Sequence, residues 1–82
     1  MNRTKILQAL NAAYPFKLLR GTLLADIRLD GEPVVESAFD ADLQALSAKN
    51  FVEISRDEID AAKLYLKITE AGIRYLESKG MA

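Results

Sequence analysis

The chain has 82 residues, of which 50% are hydrophobic and 28% charged, with a formal net charge of −1. That length fits one domain with one core, read here as residues 1–82, and the composition is too apolar for a disordered tail. Cysteine and histidine are absent, which excludes disulfides, thiol nucleophiles, Cys/His metal sites and the usual general base at neutral pH.

Ile6, Leu7, Leu10 and Tyr14 recur at helical spacing, so residues 3–14 read as the first helix. This start is helical rather than the apolar core of a signal peptide, and no apolar stretch is long enough to span a bilayer, so a cytoplasmic location is expected. Pro15 ends the helix, because the residue before proline is pushed out of helical geometry. Thr22 is the expected cap of a second helix, with Leu23, Leu24 and Ile27 on its buried face. Asp30-Gly31-Glu32-Pro33 is a turn signal.

Ser37 and Asp40 resemble a capping box, with aspartate in place of glutamate, at the start of a third helix. Phe39, Leu43 and Leu46 fall on one face of it. Lys49-Asn50 suits its end, with a cation near the last carbonyls and an asparagine able to take a left-handed cap. The period then changes. Phe51–Ser55 reads as a strand, and Lys63–Ile68 alternates with period two, so the pair makes a hairpin around the charged loop Arg56-Asp57-Glu58-Ile59-Asp60. Thr69 caps a last helix in which Ile73 and Leu76 face inward and Gly72 permits close packing.

Helix, helix, helix, hairpin, helix is the order of a winged helix-turn-helix domain. The segment Asp42-Leu43-Gln44-Ala45-Leu46-Ser47-Ala48-Lys49-Asn50-Phe51-Val52 resembles the end of a recognition helix entering a first wing strand. Leu66-Lys67-Ile68-Thr69-Glu70-Ala71-Gly72-Ile73-Arg74-Tyr75-Leu76 is similar to the closing segment of MarR-like and ArsR-like bacterial and phage regulators. The resemblance spans about residues 4–79 and departs from those families at Asn50, where they usually carry glycine. It implies an α+β winged-helix fold: a three-helix core, a two-stranded wing hairpin and a C-terminal helix. It also implies that helix three enters the DNA major groove, helix two braces it, and the wing touches the backbone or the minor groove.

Carried onto this chain, the outward face of helix three comprises Ser37, Asp40, Ala41, Gln44, Ala45 and Ala48. Gln44 has the groups to pair with adenine, and Ser37 those to meet a base or a phosphate, though Gln44 is equally an ordinary solvated helix residue. Arg20, at the start of helix two, is a candidate phosphate contact. Arg56 and Lys63 flank the wing loop where related domains meet phosphate.

Charge complicates that picture. Residues 1–25 carry Arg3, Lys5, Lys17 and Arg20 and no acid, whereas residues 26–62 carry ten acids against three bases. Glu36, Asp40 and Asp42 lie on or near the presumed reading helix and would repel phosphate. Two partners follow from different features. One is double-stranded DNA, with this chain a small transcriptional regulator. The other is a basic protein surface, bound through an acidic helix three. Homodimerisation through helix one or the last helix accompanies the resemblance.

A metal site in the wing is not expected, since Asp57, Glu58 and Asp60 lack the glycine and closing glutamate of a calcium loop. No cofactor is expected either. Acid pairs one turn apart, Asp26/Asp30 and Glu36/Asp40, are common on exposed faces and make no case for catalysis in so small a domain, so an enzyme is not expected. Tyr14, Phe16 and Tyr75 are expected as core or dimer-packing aromatics.

Overall fold

The computed structural model describes residues 2–29, 31 and 33–81. The chain runs α1 (Asn2–Ala13), β1 (Leu18–Leu19), α2 (Arg20–Leu29), α3 (Glu36–Ala48), β2 (Val52–Arg56), β3 (Leu64–Ile68) and α4 (Glu70–Ser78). Three helices, a hairpin and a closing helix thus appear in the expected order. The sheet gains one member: β1 pairs antiparallel with β3, so the strand order is β1-β3-β2. Two residues are too few to show a period, and Leu18-Leu19 becomes a strand because the β3 edge offers partners to Leu18 and Leu19 opposite Leu66 and Tyr65.

The core is formed where apolar stripes converge. Ile6, Leu7 and Leu10 of α1 meet Leu23, Leu24 and Ile27 of α2, Phe39, Leu43 and Leu46 of α3, and Leu76 of α4. Val52, Leu66 and Ile68 close it from the sheet. The period-two alternation of β3 places Leu66 and Ile68 inward, and the register Val52↔Ile68 and Ile54↔Leu66 holds the hairpin. Tyr14 is not a core residue of this chain: it lies one residue beyond the end of α1, exposed, with the Lys67 ammonium 5.9 Å from its ring centroid. Phe16 is exposed too, while Tyr75 is half-buried against Phe51 with centroids 5.0 Å apart.

Helix ends explain most of the remaining differences. α2 begins at Arg20, two residues before the expected cap, so Thr22 lies inside its first turn. α3 begins after Val35, whose side chain makes no cap bond, and Ser37 lies exposed in the first turn instead of capping it. The capping box does not form: α3 starts one residue before Ser37, with the Phe39 N–H donating to Val35 O, and the Asp40 carboxylate bonds a guanidinium from α2. The C-terminus of α3 follows expectation. Asn50 sits at φ +62°, its N–H donates to Ser47 O, and the Phe51 N–H donates to Leu46 O, the paired bonds of a Schellman cap. Thr69 caps α4 by accepting a 3.1 Å bond from the Gly72 N–H. Of the turn before α3, Gly31 is seen at φ +86°, and its N–H donates to Arg28 O. Asp30 and Glu32, with the acid pair Asp26/Asp30, lie outside the described residues in whole or part.

Candidate nucleic-acid interface

α3 is pinned by Phe39, Leu43 and Leu46, and at roughly 100° per residue the positions opposite them are Ser37, Ala41, Gln44 and Ala48. All four are exposed, and Ala38 and Ala45 border them. The three acids fall on the flanks. Glu36 and Asp40 face α2, and Asp42 faces α1.

Each flank meets a cation. Arg20 Nε donates to Asp40 Oδ1 at 2.7 Å and Nη2 to Asp40 Oδ2 at 2.9 Å, a bidentate fork, while Nη1 donates to Glu36 Oε1 at 2.9 Å. The guanidinium also lies over the Phe39 ring, 5.5 Å from its centroid. Its pKa is raised chiefly by the hydrogen bond to Asp40; partial burial opposes this and Glu36 adds to it. On the other side Arg3 Nε donates to Asp42 Oδ1 at 2.9 Å. The carboxylates that the sequence presents as repelling phosphate are therefore held by two of the bases that stand unopposed in it. Among the described residues, none on the outward face of α3 carries a charge.

Two expectations change accordingly. Asp40 belongs to the flank of α3 and not to its outward face. Arg20 does not project from α2 but turns its guanidinium onto α3, with three of its five donors on Asp40 and Glu36. Arg3 and Glu36 belong to this arrangement although sequence reasoning does not place them among the site residues. Their charges are visible in the sequence, but pairs separated by 39 and 16 positions are set by how the helices cross.

The wing is braced from within. The Asp57 N–H donates to Lys63 O, and the Lys63 N–H to Asp60 O. The Asp60 carboxylate accepts from the Ala62 N–H at 3.0 Å, and Arg56 Nη1 donates to Ala61 O at 2.9 Å. Arg56 is thus folded across its own loop, while Ile59 stands at the tip, 96% exposed. Lys63 is exposed and lies elsewhere. Together with Leu19, Arg20, Gly21, Thr22, Ala62 and Leu64 it lines a groove of about 410 Å³ between the start of α2 and the base of the wing. Lys63 and the start of α2, where the first N–H groups of a helix lack intrahelical partners, thus border one shared depression. Of the residues expected to form a site, Ser37 and Gln44 share one face and Arg20 and Lys63 one groove, while Arg56 stands apart.

A helix-turn-helix pair of α2 and α3, a braced hairpin and a closing helix make this chain a winged-helix domain. Its fold is similar to that of the adhesin competence repressor AdcR from Streptococcus pyogenes, with a TM-score of 0.74 at 16% sequence identity. The similarity covers 96% of this chain and 52% of AdcR, so the chain spans about half the length of that repressor. No protein-family model matches the sequence, and no curated protein matches it significantly. No helix among the described residues is long and apolar enough to cross a membrane.

Proposed function

We propose that this chain is a small, non-enzymatic, DNA-binding transcriptional regulator that lays α3 in the major groove. The observation that carries the reading is the withdrawal of Glu36, Asp40 and Asp42 to the flanks of α3, each held by Arg20 or Arg3. An uncharged outward face bearing Gln44 and Ser37 can approach base edges without the repulsion that three free carboxylates would impose. The fold shared with a repressor supports the same reading. Backbone contacts would come from Lys63 and the first N–H groups of α2 on their shared groove, where a helix N-terminus favours an anion.

The ion pairs also weaken the alternative of a basic protein partner docked on an acidic helix three. Each of the three carboxylates already accepts from a guanidinium, and two positive charges offset all but one of the three negative ones, so helix three offers a second cation less than its count of acids suggests.

A fluorescence-anisotropy titration with a mixed-sequence duplex, at low and at physiological salt, tests the reading. Affinity in the micromolar range at low salt that weakens as salt rises is the expected result. Absence of binding at low salt would overturn it.

A further inference from the structure

We propose that the outward face of α3 selects A·T base pairs, reading thymine through its C5-methyl group and adenine through Gln44; this rests on the DNA-binding reading above. The face is defined first by what it lacks. Guanine is most often read in the major groove by arginine or lysine, and cytosine by a carboxylate that accepts from its amino group. The two arginines bonded to α3 are committed to its flanking acids, Arg3 to Asp42 and Arg20 to Asp40 and Glu36. Lys49 lies past the last turn, lining a small cavity with Phe51 and Tyr75. Glu36 and Asp40 are turned toward α2 in the same ion pairs. The usual readers of guanine and cytosine are therefore both missing from the outward face.

What the face presents is apolar methyl groups, one carboxamide and, in the first turn, the Ser37 hydroxyl, which can meet any base and so selects none. Ala41 and Ala48 lie opposite the core stripe, flanked by Ala38 and Ala45, with Gln44 between them. An alanine methyl suits contact with the thymine methyl, and a glutamine carboxamide matches the N6 and N7 groups of adenine. Side chains this short also let the helix backbone lie close to the base edges. Positions 41 to 48 span roughly 10 Å of helix axis at about 1.5 Å per residue, enough to face about three base pairs at about 3.4 Å each.

The test uses duplexes that the protein itself recovers from a randomised pool of short duplex DNA. The expected result is a run of A·T pairs at the enriched positions. Replacing thymidine there by 2′-deoxyuridine removes the methyl groups and leaves the pairing intact. Each methyl group so removed from the interface should weaken binding about fourfold. Ala41 is exposed, so Ala41→Ser keeps the fold, and it should shrink the ratio between the thymine and uracil forms. Enrichment of G·C pairs, or equal affinity for the two forms, overturns the inference while the DNA-binding reading stands. A pool that yields no enrichment, with no duplex bound at low salt, overturns that reading and this inference with it.

Discussion

Arg20 grips both carboxylate oxygens of Asp40 across the α2–α3 junction, at 2.7 and 2.9 Å. The contact joins the helix that braces to the helix that faces outward, and it does so beside the Phe39 ring at the edge of the core. One guanidinium thereby offsets one of the two negative charges on this flank of α3 and ties the helix to α2, with Glu36 as a second anchor. Fold and electrostatics are set here by the same side chain.

Asp40→Asn separates the two roles. The pair is partly solvated, with 52% of the Asp40 side chain exposed, so its loss should cost about 0.5–1 kcal/mol. That corresponds to a fall of roughly 2–8 °C in Tm for a domain of this size. Loss of a negative charge beside the groove should at the same time tighten DNA binding severalfold at low salt. A variant that loses stability and gains no affinity would place α3 away from the phosphates.

Two glycines give opposite outcomes on substitution. A Cβ at Gly72 would lie 2.5 Å from the Phe51 carbonyl oxygen and 2.7 Å from Ile68 Cγ1, and a backbone oxygen cannot swing aside. Overpacking of about 1–3 kcal/mol should exceed the roughly 1 kcal/mol that alanine gains over glycine in a helix. Gly72→Ala is therefore expected to lower Tm. Gly21, near the start of α2, has no such neighbour within 4 Å, and Gly21→Ala should raise Tm slightly. Thermal unfolding of the two variants side by side checks both signs.

How much of this is legible in the sequence depends on the range of the interaction. The core stripe of α3, the alternation of β3, the left-handed cap at Asn50 and the closeness allowed by Gly72 are local patterns, and each appears in the structure. The cue for a Ser37 cap misleads because α3 already starts at Glu36, and the Asp40 carboxylate that a capping box would turn back along its helix forms a bidentate bond with Arg20 instead. The short β1 and the Arg3–Asp42 pair depend on segments brought together only by folding. For the candidate site, residue types are readable but their pairing is not: a count of acids on α3 suggests repulsion, whereas their angular positions place them against cations.

Asn50 tests the cap directly. At φ +62° a residue with a Cβ costs about 1–2 kcal/mol unless, like asparagine, it tolerates the left-handed region. Asn50→Ala should destabilise by about 1 kcal/mol, and Asn50→Gly should hold or raise Tm because glycine meets no Cβ clash there. Denaturant midpoints with unchanged slopes would attribute the difference to stability alone. Alanine as stable as glycine would mean that position 50 does not hold the left-handed conformation.

Lys63 and Arg56 carry the same charge on the same wing, yet they should respond differently to removal. Lys63 is exposed beside the start of α2, so Lys63→Ala should leave Tm unchanged. Its effect should appear as weaker binding to every duplex, with the slope of log K against log salt reduced by about 1. Arg56 donates to Ala61 O across the loop, so Arg56→Ala should speed amide exchange at residues 57–63 before it changes the salt slope. Each variant thus carries its own readout, one electrostatic and one structural. A salt slope that falls equally in both would mean that Arg56 leaves its loop to meet phosphate, and the brace across the wing would then be a feature of the unbound chain alone.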